Sequence, residues 1–237
     1  MTSVTQAILE RRSARAFLSR PVPASLIREI LDIARRTASS SNMQPWRLAA
    51  MAGPDLDALR GAVRQSLAAN PAAEGSEYKI YASNLKDPYN RRRIKCAEDL
   101  YGTIGIPREN KMARLMQFAR NFDFYGAPVG MILSIDRTME HGQWADVGMF
   151  LQSILLLAHE RGLAACPQAA WAAMHRTVRA HLSLPEEFIV FCGVSLGYAD
   201  PSQRINGLIT DRAALEEIAE IRGFAEEARA VEAPLTA

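Results

Sequence analysis

No stretch of this sequence stays apolar for the width of a bilayer; Gln, His or Arg interrupts the longest hydrophobic runs, so no transmembrane helix is expected. The opening Met1-Thr2-Ser3-Val4-Thr5-Gln6 runs into charged residues instead of an apolar signal core, and the expected location is therefore cytoplasmic. Cysteine is scarce. Cys96, Cys166 and Cys192 are odd in number, widely spaced and without a Cys-x-x-Cys pair, which argues against a disulfide framework or a zinc site and leaves three free thiols. The four histidines, His141, His159, His175 and His181, form no H-E-x-x-H or i,i+4 pair, and no metal site is expected. Net charge is nearly absent: 28 Lys+Arg against 26 Asp+Glu leave +2, too little for counterion release to drive nucleic-acid binding. G-x-G-x-x-G and a Walker loop are both missing, so a bound nucleotide must be held by something other than a glycine-rich turn.

With 49% hydrophobic and 23% charged residues, the 237-residue chain can bury a substantial core, and it reads as one domain over 1–237. Helices are expected over Val4 to Glu10 and, with Ser25 as cap, from Leu26 to near Arg36, where Leu26, Ile27, Ile30, Leu31 and Ala34 share a face. Trp46 to Met51 reads as a strand and Asp55 to Leu67 as a helix. Residues 70–110 read as an excursion interrupted by Pro71, Gly75, Pro88, Gly102, Gly105 and Pro107, with a helix near Arg92 to Leu100. A helix from Glu109 to about Asn121, a strand from Pro128 to Ile135 and a long helix from Gln143 to Arg161, stopping at Gly162, follow. That long helix lacks a polar face and must be covered on most sides, by its own domain or by a second subunit. Ala172 to Leu182 reads as a helix, Glu187 to Tyr198 as a buried strand, and about 224–237 as an Ala/Glu-rich tail. Scattered strands among dominant helices point to an α+β domain with a central mixed or antiparallel sheet covered by helices.

One motif tempts and fails. Gly193-Val194-Ser195-Leu196-Gly197 matches the G-x-S-x-G of serine hydrolases, but it lies inside an apolar strand that runs into Tyr198-Ala199-Asp200-Pro201, a turn and not a helix start. No histidine follows the serine, as that hydrolase order requires. Arg91-Arg92-Arg93 could grip a phosphate or form a solvated face.

Two segments carry the functional reading. Arg11-Arg12-Ser13-Ala14-Arg15 puts three guanidinium groups and a hydroxyl at a helix end, where they can converge on an anion. Ala38-Ser39-Ser40-Ser41-Asn42-Met43-Gln44-Pro45-Trp46 clusters hydroxyls and amides suited to a polar heterocycle or ribityl chain. Together, about thirty residues apart, they resemble the nitroreductase family, and the likeness continues through Ala127-Pro128-Val129, Asp146 to Ser153 and Gly162-Leu163. It extends through Cys166-Pro167-Gln168-Ala169-Ala170-Trp171 and Leu196-Gly197-Tyr198-Ala199-Asp200-Pro201 to Asn206 and Thr210-Asp211-Arg212, most like the nitrobenzoate reductase branch.

The resemblance implies a homodimer, with the long helix at its interface, that binds FMN. Arg11, Arg12, Ser13 and Arg15 would meet the phosphate, ribityl chain and pyrimidine edge, with Arg212 returning to the phosphate. Ser39, Ser40, Asn42 and Gln44 would reach the flavin from the second subunit, and Pro167, Gln168 and Ala169 would pass along its ring with a backbone N–H near Ala169 facing N5. Ala38 and Thr210 stand where relatives often have proline and lysine, which shifts weight onto Arg212. FMN carries the chemistry, so no catalytic acid, base or nucleophile is required. The implied activity is two-electron, ping-pong hydride transfer from NADH or NADPH to a small nitroaromatic substrate. Ene reduction, reductive dehalogenation, azole dehydrogenation or flavin storage without turnover remain open. Phe122, Phe124 and Tyr125 are expected either to wall the substrate pocket or to pack in the core, and Tyr78, Tyr81 and Tyr89 could also shape it.

Overall fold

The computed structural model describes residues 2–224, so all but the first residue of the Ala/Glu-rich tail lies outside the described residues. Helix α1, Val4–Glu10, is capped by Ser3, whose hydroxyl accepts from the Gln6 N–H at 3.1 Å. Helix α2, Ala24–Ala34, starts differently from expectation. Pro23 holds the cap position with extended backbone and no side-chain acceptor, and Ser25 falls inside the first turn. Strand β1 spans Trp46–Ala52 and is followed directly by α3, Gly53–Ala69, with Pro54 in its first turn, where a missing N–H costs nothing. The excursion contains α4, Tyr89–Thr103, and leads to α5, Lys111–Ala119.

Helix α5 ends two residues before the expected Asn121, and the chain tightens into a 3₁₀ stretch over Arg120–Gly126. Strand β2, Val129–Asp136, precedes the long helix α6, His141–Glu160. Glu140 and Gln143 form a reciprocal capping box at the start of α6, and Gly162, at φ +71°, terminates it in a conformation that favours glycine. Strand β3, Ala164–Gln168, was not assigned from sequence, since five residues including a proline offer little alternation to read. The helix expected from Ala172 begins as a 3₁₀ turn, Ala169–Ala173, and becomes α7 only over His175–Leu182. Strand β4 spans Phe188–Gly197, and a short α8, Leu215–Ile218, ends the described elements.

The sheet has order β1-β2-β4-β3, every neighbouring pair antiparallel, with helices on both faces. Val129, Met131, Leu133 and Ile135 of β2 meet Ile27, Ile30 and Ala34 of α2 and Val147, Phe150 and Ile154 of α6. On the opposite face Ile132 meets Leu56, Leu59 and Val63 of α3, Val178 of α7, and the rings of Phe124 and Trp171. A bulge in β4 opposite Leu133 and Ser134 places Phe191 out of register. The extra residue resets the alternation, so Val190 serves the second core while Cys192, Val194 and Leu196 serve the first.

Gly193 is where the second core approaches the sheet most closely. The Trp171 indole lies on its bare backbone, and a Cβ there would overlap the ring. The overlapping atoms belong to an aromatic ring that is itself fully buried, so the neighbour cannot move away. Gly193→Ala is therefore expected to cost about 1 to 3 kcal/mol of stability through overpacking. Gly61→Ala, in α3 with nothing within 4 Å of the added methyl, is expected to gain up to about 1 kcal/mol. Urea unfolding midpoints of the two variants check both signs.

Candidate active site

The arginine segment is laid down against the sheet edge after α1 ends. Ser13 bridges Ala165 in parallel, the Ala14 N–H donates to the Ala165 carbonyl at 3.3 Å, and Ala14 and Ala16 bury their methyls. Asn206 locks the segment from below: its Oδ1 accepts from the Arg15 N–H at 2.7 Å, and its Nδ2 donates to the carbonyls of Ala16 and Asp200, each at 2.9 Å. The bridge to Ala165 runs this extended segment past the neighbouring Cys166 of β3, so that the charges of Arg11 and Arg15 act on its thiol. Burial pushes that thiol up, while the Arg15 charge, the Ser13 hydroxyl and the Arg11 charge pull in the opposite direction. Arg11 and Arg12, with Glu10, His159 and Asn206, line a cavity of about 200 Å³ against α6.

The charges of this segment are uncompensated. Among the described residues, Arg11, Arg12, Arg15 and Arg212 make no ion pair with a carboxylate. Burial first, and then the like charge of Arg212, lower the pKa of Arg11 from the usual arginine value. Arg212 is held by its own loop, its Nη1 donating to the carbonyls of Thr210 and Asp211 and to the Thr210 hydroxyl at 2.7 to 3.0 Å. Two guanidinium groups near enough for the charge of one to act on the other, neither paired with a carboxylate among the described residues, suit an anion such as a phosphate, whose oxygens accept forked donors. Arg92 is instead paired with Glu217 at 2.7 Å, and Arg93 lies over the exposed Tyr81 ring at 5.6 Å, so these two arginines belong to a solvated face.

The Ser39 to Gln44 loop stands apart from this cluster within one chain. It is anchored by Asp146, buried in α6, whose Oδ2 accepts from the Ser40 N–H at 3.1 Å. The Ser39 hydroxyl accepts from the Gln44 N–H at 3.0 Å, and Ser41, Asn42 and Gln44 all take positive φ. Ser40, Asn42 and Gln44 are exposed, and none of the loop lines the cavity beside Arg11 and Arg12. The two halves of the expected site are therefore not brought together by a single chain.

A model of the nitroreductase family matches residues 8–198. The chain belongs to the nitroreductase family. It is 37% identical over 210 residues to the chloronitrobenzene nitroreductase of Comamonas testosteroni, covering 89% of this chain and 92% of that protein. With the 4-nitrobenzoate reductase of Pseudomonas putida it shares 36% identity over 220 residues, 92% of this chain and 94% of the relative. The solved structure of the FMN and NADPH-dependent nitroreductase NfnB from Sphigopyxis sp. strain HMH superposes with a TM-score of 0.90 at 40% identity, covering 94% of this chain and 100% of that one. The fold is accordingly that of the nitroreductase family.

Within this family frame several sequence expectations change. Phe124 is fully buried and stacked on Trp171, centroids 4.1 Å apart, and Phe122 meets the same indole edge-on at 5.9 Å, so both rings belong to the core and not to a pocket wall. Tyr125 is also buried, its hydroxyl donating to Asn121 Oδ1 at 2.8 Å. Tyr78 packs against Trp144 and Phe191 and donates to the Phe191 carbonyl at 2.6 Å, which removes it from the pocket candidates, whereas Tyr81 and Tyr89 are exposed. The Gln168 side chain turns inward, its Nε2 donating to the Asn121 carbonyl at 2.9 Å and its Oε1 accepting from the Ser195 hydroxyl at 2.6 Å. Of Gln168 only the main chain is left for a ligand. Ser195 is fully buried within β4 and has no histidine partner, in keeping with a strand residue and not a nucleophile.

Asn121, Asp146 and Asn206 were given no role from sequence. Asp146 had a readable signal, a carboxylate between Ala145 and Val147 on a largely apolar helix whose other acid, Glu160, is its last residue. Asn121 and Asn206 sit in irregular segments, where an asparagine is ordinary. Asn206→Ala would leave the Arg15 N–H without its acceptor and take one donor from each of the Ala16 and Asp200 carbonyls, which keep the N–H groups of Asp200 and Gln203. A loss of about 1 to 3 kcal/mol is expected for the part-buried N–H left unpaired, measured as a lower urea midpoint.

Proposed function

We propose that this chain is an FMN-dependent NAD(P)H oxidoreductase that reduces nitroaromatic compounds, acting in the cytoplasm as a homodimer of single-domain subunits. The observation that carries the reading is the pair of uncompensated cations Arg11 and Arg212, set beside Arg12, Ser13 and Arg15 at the edge of β3. Names of similar proteins support it: relatives at 36 to 37% identity are nitroaromatic reductases, and the neighbour at 40% is FMN and NADPH-dependent.

FMN, when bound, supplies the two-electron redox centre, and the protein need only hold and tune it. Arg11 and Arg212 would hold the phosphate, with Arg12 and Ser13 beside them, and Arg15 would supply a positive charge toward the pyrimidine edge that favours the reduced state. The main chain of Pro167, Gln168 and Ala169 would pass along the ring. Ser39, Ser40, Asn42 and Gln44 complete the site from a second copy of the chain.

Exposed apolar groups support the dimer. Met149 on α6, Met43 within the serine loop, and Val4, Ile8 and Leu9 on α1 are all exposed, and Leu151, Leu156 and Leu157 of α6 are only half-buried. A second copy packed on α6 would cover the apolar surface of that helix and bring in the missing serine loop together. No described helix is long and apolar enough to cross a membrane.

Heat release followed by chromatography is expected to yield FMN, and recovery of FAD, or of a protein that FMN cannot reconstitute, would contradict the assignment. Arg212→Ala is expected to weaken FMN binding by about 1.5 to 3 kcal/mol, the scale of a hydrogen bond to a charged group, with the fold intact by circular dichroism. If β3 and its supporting helices cover one face of the bound flavin, the face left open would admit one ring at a time, so the nicotinamide and the nitroaromatic should react in turn. Steady-state plots at several nicotinamide concentrations should give parallel lines; intersecting lines would exclude the ping-pong scheme.

A further inference from the structure

Arg212 lies on a stretch, residues 208–214, that is neither helix nor strand. Its hydrogen bonds are local: the guanidinium donates to Thr210 and Asp211, and the Ala214 N–H donates to Glu217 Oε1 at 3.3 Å. Among the described residues, no backbone hydrogen bond joins residues 208–218 to the rest of the chain. Packing does little to hold them either, since Ile209, Leu215 and Ile218 are all exposed.

The attachment comes from the excursion. Lys95 Nζ of α4 donates to Asp211 Oδ2 at 2.9 Å and to Asp99 Oδ2, one turn further along its own helix, at 2.6 Å. Arg92 Nη2, three residues before Lys95 on the same helix, donates to Glu217 Oε2 of α8 at 2.7 Å. Asp211 precedes Arg212 in the chain and Glu217 follows it, and Arg212 lines a second cavity, of about 230 Å³, together with Arg92, Lys95 and their two carboxylate partners. Two ion pairs, one on either side of the arginine, define where a short segment stands; one alone would let it pivot.

We propose that Arg92 and Lys95 are positioning residues for Arg212, so that α4 clamps the loop and sets where the phosphate-binding guanidinium stands. The proposal rests on the FMN reading above and gives the excursion a part in that site. Clamping and direct charge make opposite predictions for the two acids. Acting only through their own charge, Asp211 and Glu217 would repel a phosphate held by their neighbour, and neutralising either would tighten FMN binding. As anchors of the loop, they favour binding, and neutralising either loosens it.

The test is the FMN dissociation constant of the purified chain, read from the recovery of flavin fluorescence when the holoprotein is diluted. Asp211→Asn and Glu217→Gln are each expected to weaken binding about two- to fivefold, the range of one exposed ion pair, although each removes a negative charge. Both side chains are more than half exposed, so neither change disturbs the core. In an Arg212→Ala background neither should weaken binding further. Glu98→Gln breaks the two-bond pair that α4 makes with Arg114 of α5, touches no part of the loop, and should leave FMN affinity where it was. Amide hydrogen exchange over residues 208–214 should quicken in Asp211→Asn and Glu217→Gln and stay unchanged in Glu98→Gln. Unchanged or tighter FMN binding in either acid variant, a weakening that persists without Arg212, an equal weakening in Glu98→Gln, or unaltered exchange in the loop overturns the clamp. A wild-type chain that binds no FMN instead sinks the functional reading, and the clamp's part in it.

Discussion

The indole of Trp171 lies on backbone that carries no side chain, at Gly193 of β4, and most of the second core is arranged around that contact. Its ring stacks on Phe124 and meets Phe122 edge-on, and its Nε1 donates to the Asn121 carbonyl. The same carbonyl receives Gln168, whose other end receives Ser195. A close-packed aromatic layer and a closed polar network therefore share one residue at their centre. In a dense interior neither can shift alone. The 3₁₀ turn after β3 and the Phe124-Tyr125 turn, where both residues take positive φ, are held by this arrangement, and the first begins at Ala169 of the candidate site.

Electrostatics builds the site on that frame. The arginine segment could have been neutralised by carboxylates, since the chain has nearly as many acids as bases. Several of those acids are used elsewhere: Glu77 with Arg137, Arg179 and His175, Glu98 with Arg114, Glu29 and Glu160 with Arg161. Arg11 and Arg15 are left partly buried beside neutral acceptors and a thiol. Charge that is desolvated and unpaired is costly in isolation and is retained where a ligand completes it. The repulsion between Arg11 and Arg212 is the local expression of that incompleteness.

The serine loop shows the second kind of incompleteness. Asp146, buried in α6, fixes Ser40, and backbone strain at Ser41, Asn42 and Gln44 fixes the rest, yet the loop presents its polar groups to solvent, away from the arginines. The loop is anchored on a helix whose Leu151, Leu156 and Leu157 are half-buried and whose Met149 is exposed, and this is the surface on which the proposed dimer rests.

The sequence alone determined the elements with strong period or punctuation. The apolar faces of α2 and α6, the glycine that stops α6 and the buried runs of β2 and β4 were all legible, because burial imposes a pattern on neighbouring residues. The two polar segments were legible for a different reason, as chemistry concentrated in a few adjacent positions. What only the tertiary structure decided is where single side chains point. Phe122, Phe124 and Tyr125 satisfy a pocket wall and a core equally well in sequence, and the packing of Trp171 on Gly193 assigns the first two to the core. Gln168 turned inward because Asn121 and Ser195, 47 and 27 residues away in the chain, offered it partners in the core. Ser25 lost its cap to Pro23, β3 was too short to show alternation, and Asn206 found Arg15 across 191 residues. Periodicity is a local property and survives in sequence, whereas the choice between two environments for one side chain depends on contacts that exist only once distant segments have met.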